Sequence, residues 1–359
     1  MERLVQVRAR LQELGVDAIM ITNPMSRRYL SGFTGSNGVI LISENDARLI
    51  TDYRYFQQAR MQAEGFEVVL HAGHTGHKGL IFDEVANQVK EMGIRRLGFE
   101  QDQLTFTFYK KCEAVFAAEL IPVAGLVEKL RTIKSVEEIE LLKTAAQVAD
   151  AAFLHVLDVV RAGVSELEVA HALENYMKKQ GTDTTGFSPI VASGYRGALA
   201  HGRASDKIIE KGDLVTIDFG CNYKGYWSDI SRTVAIGEPS EQLREIHAVV
   251  LESFNRCVHG LKPGLSDQEV DTLMREVIKE HGFNELSGTG TGHGIGLEVH
   301  EDPFFSVRQV MSLEPGMVIT VEPGIYLPGV GGARIEDVIL ITEQGSEVYT
   351  PSTKEMLIL

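Results

Sequence analysis

Apolar residues recur with helical spacing from Arg3 to Leu14, and a short unbroken apolar run from Ala18 to Thr22 then reads as a buried strand. Asn23-Pro24 breaks that run. The Gly-rich stretch Ser31-Gly-Phe-Thr-Gly-Ser-Asn-Gly38 predicts a loop, with further strands at Val39 to Ile42, Arg48 to Thr51 and Val68 to Leu70. This alternation predicts a compact α/β domain of about 125 residues. The pattern changes near Pro122 to Lys134, after which Ser135-Val-Glu-Glu138 is a capping-box signature heading a long helix to about Arg161. The expected division is therefore residues 1–128 and 129–359.

The second part repeats itself. Gly163-Val-Ser165-Glu-Leu-Glu168-Val169 and Gly264-Leu-Ser266-Asp-Gln-Glu269-Val270 match at an offset of 101, each a glycine, a Ser-x-x-Glu cap and a helix ending at Gly181 or Gly282. Farther on, Gly212-Asp-Leu-Val-Thr-Ile-Asp218-Phe-Gly220 lies over Gly316-Met-Val-Ile-Thr-Val-Glu322-Pro-Gly324 at an offset of 104. Both strands end on a carboxylate. Matching order and near-equal offset point to an internal duplication, whose halves face each other across a pseudo-two-fold axis.

Leu214 to Val234 reads as two β-rich runs joined by a Gly/Asn turn. A turn centred on Tyr223 and Lys224 would set Asp218 opposite Asp229. Like charges so placed repel unless a cation lies between them. In the second copy, pairing about Gly329 would set Glu322 across from Glu336, so four carboxylates converge on the junction. Between the copies runs Gly288-Thr-Gly-Thr-Gly-His293-Gly-Ile-Gly-Leu-Glu-Val-His300-Glu, whose glycines let backbone crowd a small site. It is not a phosphate cradle, because no Gly-Lys-Ser/Thr follows and its surroundings are acidic. His293 and His300 would point to opposite faces of a straight strand, so a bend or bulge is needed if both serve one site.

Four carboxylates and an imidazole form an oxygen-rich ligand set matching two divalent ions, Mn²⁺ or Co²⁺ first, with Zn²⁺ or Fe²⁺ also compatible. Such a pair can hold a bridging hydroxide and polarise a carbonyl, which is hydrolase chemistry. No His-Glu-x-x-His and no Gly-x-Ser-x-Gly occurs.

Composition narrows the partners. Fifty acidic against 35 basic side chains give a formal charge of −15, which disfavours nucleic acid and anionic lipid. No apolar run approaches the ~18 residues of a membrane span, and the charged opening stretch differs from a signal peptide, so a cytoplasmic location is expected. Cys112, Cys221 and Cys257 are far apart and never in Cys-x-x-Cys, so reduced thiols are expected.

The ordered set Asp218, Asp229, His293, Glu322, Glu336 resembles the dinuclear site of the pita-bread metallopeptidases, which include methionine aminopeptidase, aminopeptidase P and prolidase. The resemblance implies an α+β chain: a C-terminal pita-bread fold with pseudo-two-fold duplication, preceded by a smaller α/β creatinase-like N-terminal domain. It implies that Asp229 and Glu336 bridge two metal ions, that Asp218 completes one site and that His293 with Glu322 completes the other. Glu322 would also shuttle the proton from the nucleophilic water to the leaving amine. His201, in Ala200-His-Gly-Arg203, and His300 match the family's outer histidines, which contact substrate and stabilise the tetrahedral intermediate. Arg334 matches an arginine typical of the proline-specific branch, and it is also a candidate salt-bridge partner on the strand face of Glu336. Phe187 falls where a wall for the proline ring is expected, or is an ordinary core aromatic.

Asn23 to Gly38 and Thr51-Asp-Tyr-Arg-Tyr look like the N-terminal domain of creatinase, prolidase and aminopeptidase P, which caps the neighbouring subunit's site in a homodimer. The implied activity is Xaa-Pro dipeptide cleavage, with aminopeptidase P action on longer peptides as the alternative. Some prolidases carry an arginine after His-Glu-Asp-Pro that is thought to hold a dipeptide carboxylate; here Phe304 stands there. A non-catalytic binding module or creatinase-like chemistry is disfavoured by the intact ligand set.

Overall fold

In the computed structural model, residues 2–71, 78–185, 187–288, 290–305 and 311–359 are described. The chain forms two compact units, Met1–Arg131 and Thr132–Leu359.

The first unit is a mixed six-stranded sheet with helices. Its strands are β1 (Ala18–Ile21), β2 (Val39–Ser43), β3 (Ala47–Thr51), β4 (Glu67–Leu70), β5 (Arg96–Glu100) and β6 (Glu119–Val123), in the order β4-β3-β2-β1-β5-β6. The helices are α1 (Glu2–Leu14), α2 (Pro24–Ser31), α3 (Phe56–Gln62), α4 (Lys78–Glu91), α5 (Phe106–Val115) and, at the unit's end, α6 (Leu126–Thr132). Asn23-Pro24 does end β1, but it also starts a helix. The Asn23 side chain accepts from Met25 N at 2.7 Å and Ser26 N at 3.3 Å, and proline's fixed φ suits the first helical turn.

The second unit is built twice. Helices α7 (Val136–Val156) and α8 (Glu166–Lys179) cover the sheet of β8 (Ile190–Ser193), β9 (Leu214–Phe219) and β12 (Ile230–Ala235). The intervening β7 (Thr184–Thr185), β10 (Cys221–Tyr223) and β11 (Tyr226–Trp227) form a second small sheet. In the other half, α9 (Glu241–Gly260) and α10 (Asp267–Glu280) pack on β13 (His293–Gly294), β14 (Glu301–Phe304), β15 (Val318–Val321), β18 (Asp337–Thr342) and β19 (Gly345–Val348), with β16 (Gly324–Leu327) and β17 (Gly331–Arg334) paired beside them. Each half has its own apolar core, one around Phe153, Leu173 and Ile217, the other around Phe254, Met274 and Ile339.

Capping boxes at Ser135/Glu138, Ser165/Glu168 and Ser266/Glu269 form as the sequence predicts. The helix expected to reach Arg161 stops at Val156, whose carbonyl takes both Val159 N and Val160 N at 2.9 Å and turns the chain. All three cysteines are free and buried. Among the described residues no helix is long and apolar enough to cross a membrane.

Candidate active site

The strands of the two halves end at one place. The first hairpin departs from its expected register: Ser231, not Asp229, faces Asp218, and Tyr223 pairs with Tyr226. The turn centres on Lys224 and Gly225, at φ 50° and 94°. A two-residue turn of this hand needs positive φ at both central positions, which glycine supplies and Tyr223 resists. Asp229 instead falls beside Gly220, where an added Cβ would lie 1.9 Å from Ser228 O. In the second hairpin, Val321 pairs with Asp337 and Gly324 with Arg334, which sets Glu322 across from Glu336 about Gly329, as expected.

His293 and His300 come together through the bulge that their spacing requires. The register slips between His293 and Gly294, residues 295–300 loop out, and the two rings lie 4.3 Å apart between centroids. Gly292, at φ 153°, has no room for a Cβ, which would lie 2.2 Å from Thr320 O. Thr289 of the same glycine run lies outside the described residues.

The resulting cleft of about 570 Å³ is lined by Asp218, Asp229, His293, Glu322 and Glu336 together with His201, His300, Arg334, Phe187 and Phe304. Every site residue singled out from sequence therefore borders one cavity. Asp229, His293 and Glu336 are buried and each offers a ligand atom within 4.8 Å of the other two. His293 Nε2 lies 3.4 Å from Glu322 Oε1 and 3.9 Å from Asp229 Oδ2. Its Nδ1 is 2.9 Å from the Gly294 carbonyl, which can only accept, so Nδ1 carries the proton and Nε2 presents its lone pair to the carboxylates. Burial holds the His293 imidazole below its usual pKa, and burial followed by the neighbouring His293 does the same for His300.

Not every carboxylate oxygen of the site is satisfied by the protein. Asp218 Oδ1 and Asp229 Oδ1 are buried with no hydrogen-bond partner. Burial, then the neighbouring Asp218 and Glu322, pushes Asp229 far above the usual carboxylate range; burial and the other three acids do the same to Glu336. Burial also raises Glu322 to about 7, against the lowering pull of Arg334. Four acids forced together with orphaned oxygens and a neutral imidazole suit divalent cations.

Arg334 does not pair directly with Glu336. Its guanidinium donates to Asp218 Oδ2, to Tyr326 Oη at 2.7 Å and to the Ala200 carbonyl at 3.0 Å, the last tying down the segment that carries His201. Sequence reading missed Tyr326, Thr320 and Ser231. Thr320 Oγ1 accepts from His293 N at 3.0 Å and donates to Glu322 Oε1 at 3.3 Å. Only the strand alternation around Glu322 hinted at Thr320, and nothing local marked the others.

Residues 140–343 match the profile of "Metallopeptidase family M24", and residues 3–133 that of the "Creatinase/Prolidase N-terminal domain". The chain is 51% identical over 358 residues to the uncharacterized peptidase YqhT of Bacillus subtilis (strain 168), covering 99% of this chain and 100% of that one. Among solved structures it resembles an Xaa-Pro dipeptidase from Bacillus anthracis, with TM-score 0.97 and 55% identity over 100% of this chain and 99% of that one. It also resembles an X-Pro aminopeptidase from Thermotoga maritima MSB8, with TM-score 0.89 and 40% identity over 98% and 100% of the two chains.

Proposed function

The chain belongs to metallopeptidase family M24, and from that premise we propose that it is a dinuclear exopeptidase cleaving the Xaa-Pro bond as an Xaa-Pro dipeptidase. The observation that carries this reading is the meeting of Asp218, Asp229, His293, Glu322 and Glu336 in one cleft with carboxylate oxygens left unpartnered. Those five residues would hold about two divalent ions, Mn²⁺ or Co²⁺ before Zn²⁺ or Fe²⁺, which supply a Lewis acid and acidify water.

The remaining roles fall to the protein. Glu322, which borders the cleft, takes a proton from the attacking water and returns it to the departing proline nitrogen. His201 and His300, both bordering the cleft, hydrogen-bond the substrate as its carbonyl becomes tetrahedral. Arg334 holds Asp218 in place, and Phe187 gives the proline ring an apolar wall. The family resemblance supports a homodimer, and three free, buried cysteines suit a cytoplasmic protein.

A second reading, an Xaa-Pro aminopeptidase acting on longer peptides, is favoured by Phe304. Among the described residues lining the cleft, Arg334 is the one permanent cation, and Asp218, Tyr326 and Ala200 already occupy it. Among these described residues a dipeptide's free carboxylate finds no other permanently charged side chain to pair with. Mass-spectrometric product analysis of the Mn²⁺-loaded protein with an equimolar Xaa-Pro dipeptide and Xaa-Pro-Yaa tripeptide separates the readings, with Glu322→Gln as control. Cleavage of the dipeptide alone supports the dipeptidase, and cleavage chiefly of the tripeptide supports the aminopeptidase. Failure to cleave either with ions bound overturns both.

A further inference from the structure

Ser231 stands where the two halves meet. Its backbone bridges that of Glu336, with Glu336 N donating to Ser231 O at 3.0 Å and Ser231 N to Glu336 O at 3.4 Å. The join is reinforced from behind by Arg232, whose Nη1 donates to Glu336 O at 2.7 Å and Ser231 O at 3.0 Å. Ser231 is wholly buried. Its hydroxyl therefore has little freedom to move.

That hydroxyl makes two bonds whose directions chemistry determines. A guanidinium can only donate, so the 3.0 Å contact with Arg334 Nε uses an oxygen lone pair. The single hydroxyl proton is then free for Glu336 Oε2, at 2.7 Å. Ser231 thus lies between the cation and the carboxylate. It fixes the rotation of Glu336 and keeps the Arg334 Nε–H from turning onto it.

We infer that Ser231 is a positioning residue for metal binding: its hydroxyl insulates Glu336 from Arg334 and holds the carboxylate aimed at the ions. This rests on the assignment of Glu336 as a ligand. Without the hydroxyl, the Arg334 Nε–H turns onto Glu336 directly, which keeps the donor paired but withholds the carboxylate from the ions.

The test is titration of metal-free wild type, Ser231→Ala and Ser231→Thr with Mn²⁺ by calorimetry, with the melting temperature of each metal-free protein as the structural control. The expected result is Mn²⁺ binding roughly 10- to 100-fold weaker in Ser231→Ala, near wild type in Ser231→Thr, with the metal-free melting temperature little changed. A serine that only packs would lower the metal-free melting temperature and leave affinity alone. Unaltered affinity in Ser231→Ala overturns the inference while leaving the ligand assignment standing. A wild-type protein that takes up no Mn²⁺ overturns both. Should Ser231→Ala fail to fold, the near-isosteric Ser231→Cys, a weak donor, is expected to show the same loss, and wild-type affinity in it rejects the inference.

Discussion

The Trp227 indole donates a 2.9 Å hydrogen bond to the carbonyl of Leu297, and the Trp227 amide donates at 2.9 Å to Gly296 O. The hairpin that presents Asp229 is thereby tied to the loop that presents His300. Replacing Trp227 with Phe keeps the ring and the backbone bond but removes the indole donor. The expected result is kcat reduced roughly fivefold, in line with about 1 kcal/mol for a neutral hydrogen bond, with metal content unchanged. Steady-state kinetics with metal analysis checks this, and unchanged kcat would show that the clamp does not bear on turnover.

Metal removal should destabilise as well as inactivate. Asp229 and Glu336 are buried beside other acids, and ions that screen them bind the folded state only. Mn²⁺ at about 100 times its dissociation constant should therefore add close to 3 kcal/mol of stability for each ion bound. Melting curves of chelated and Mn²⁺-loaded protein read this directly. Identical curves would contradict binding at the buried acids.

Phe304 borders the cleft and is 49% exposed, so a longer polar side chain fits without repacking. Phe304→Arg should raise kcat/KM for an Xaa-Pro dipeptide relative to an Xaa-Pro-Yaa tripeptide by about tenfold, the worth of one charge-assisted hydrogen bond. Competition assays with both peptides give the ratio. No change would place the far end of the peptide elsewhere.

His247, on α9, is 2% exposed and its Nε2 has no partner. Burial depresses its pKa from 6.5 to about 4, only partly opposed by the Thr233 backbone. Between those values the unfolded chain binds the extra proton and the folded chain does not. Stability is thus fully present above pH 6.5 and falls as pH drops toward 4, by about 3 kcal/mol from this group. In metal-free protein, His247→Gln should flatten the pH dependence of the urea midpoint over that range. Parallel profiles for the two proteins would remove His247 from the acid response.

Much of this was legible in the chain. Ser135, Ser165 and Ser266 cap the helices that their Ser-x-x-Glu patterns announce, because a cap is decided within four residues. The pairing of Glu322 with Glu336 followed from one positive-φ glycine, Gly329, midway between them. The first hairpin was misread by two positions because its turn was centred on Tyr223 and Lys224, whereas Lys224 and Gly225 carry the positive φ. The helix stop at Val156 is likewise a backbone event without a sequence breaker.

The sequence by itself determined most of the helices and strands, the duplication and the acids at the strand ends, since these follow from local periodicity or repetition, while the outer histidines were placed by the family resemblance. Tertiary structure alone decided that His300 meets His293 across a bulge, that Arg334 holds Asp218 and Tyr326, and that Ser231 stands between Arg334 and Glu336. Most of these contacts join residues about a hundred positions apart in chemically ordinary surroundings. Their geometry exists only once the two halves bring their strand ends together.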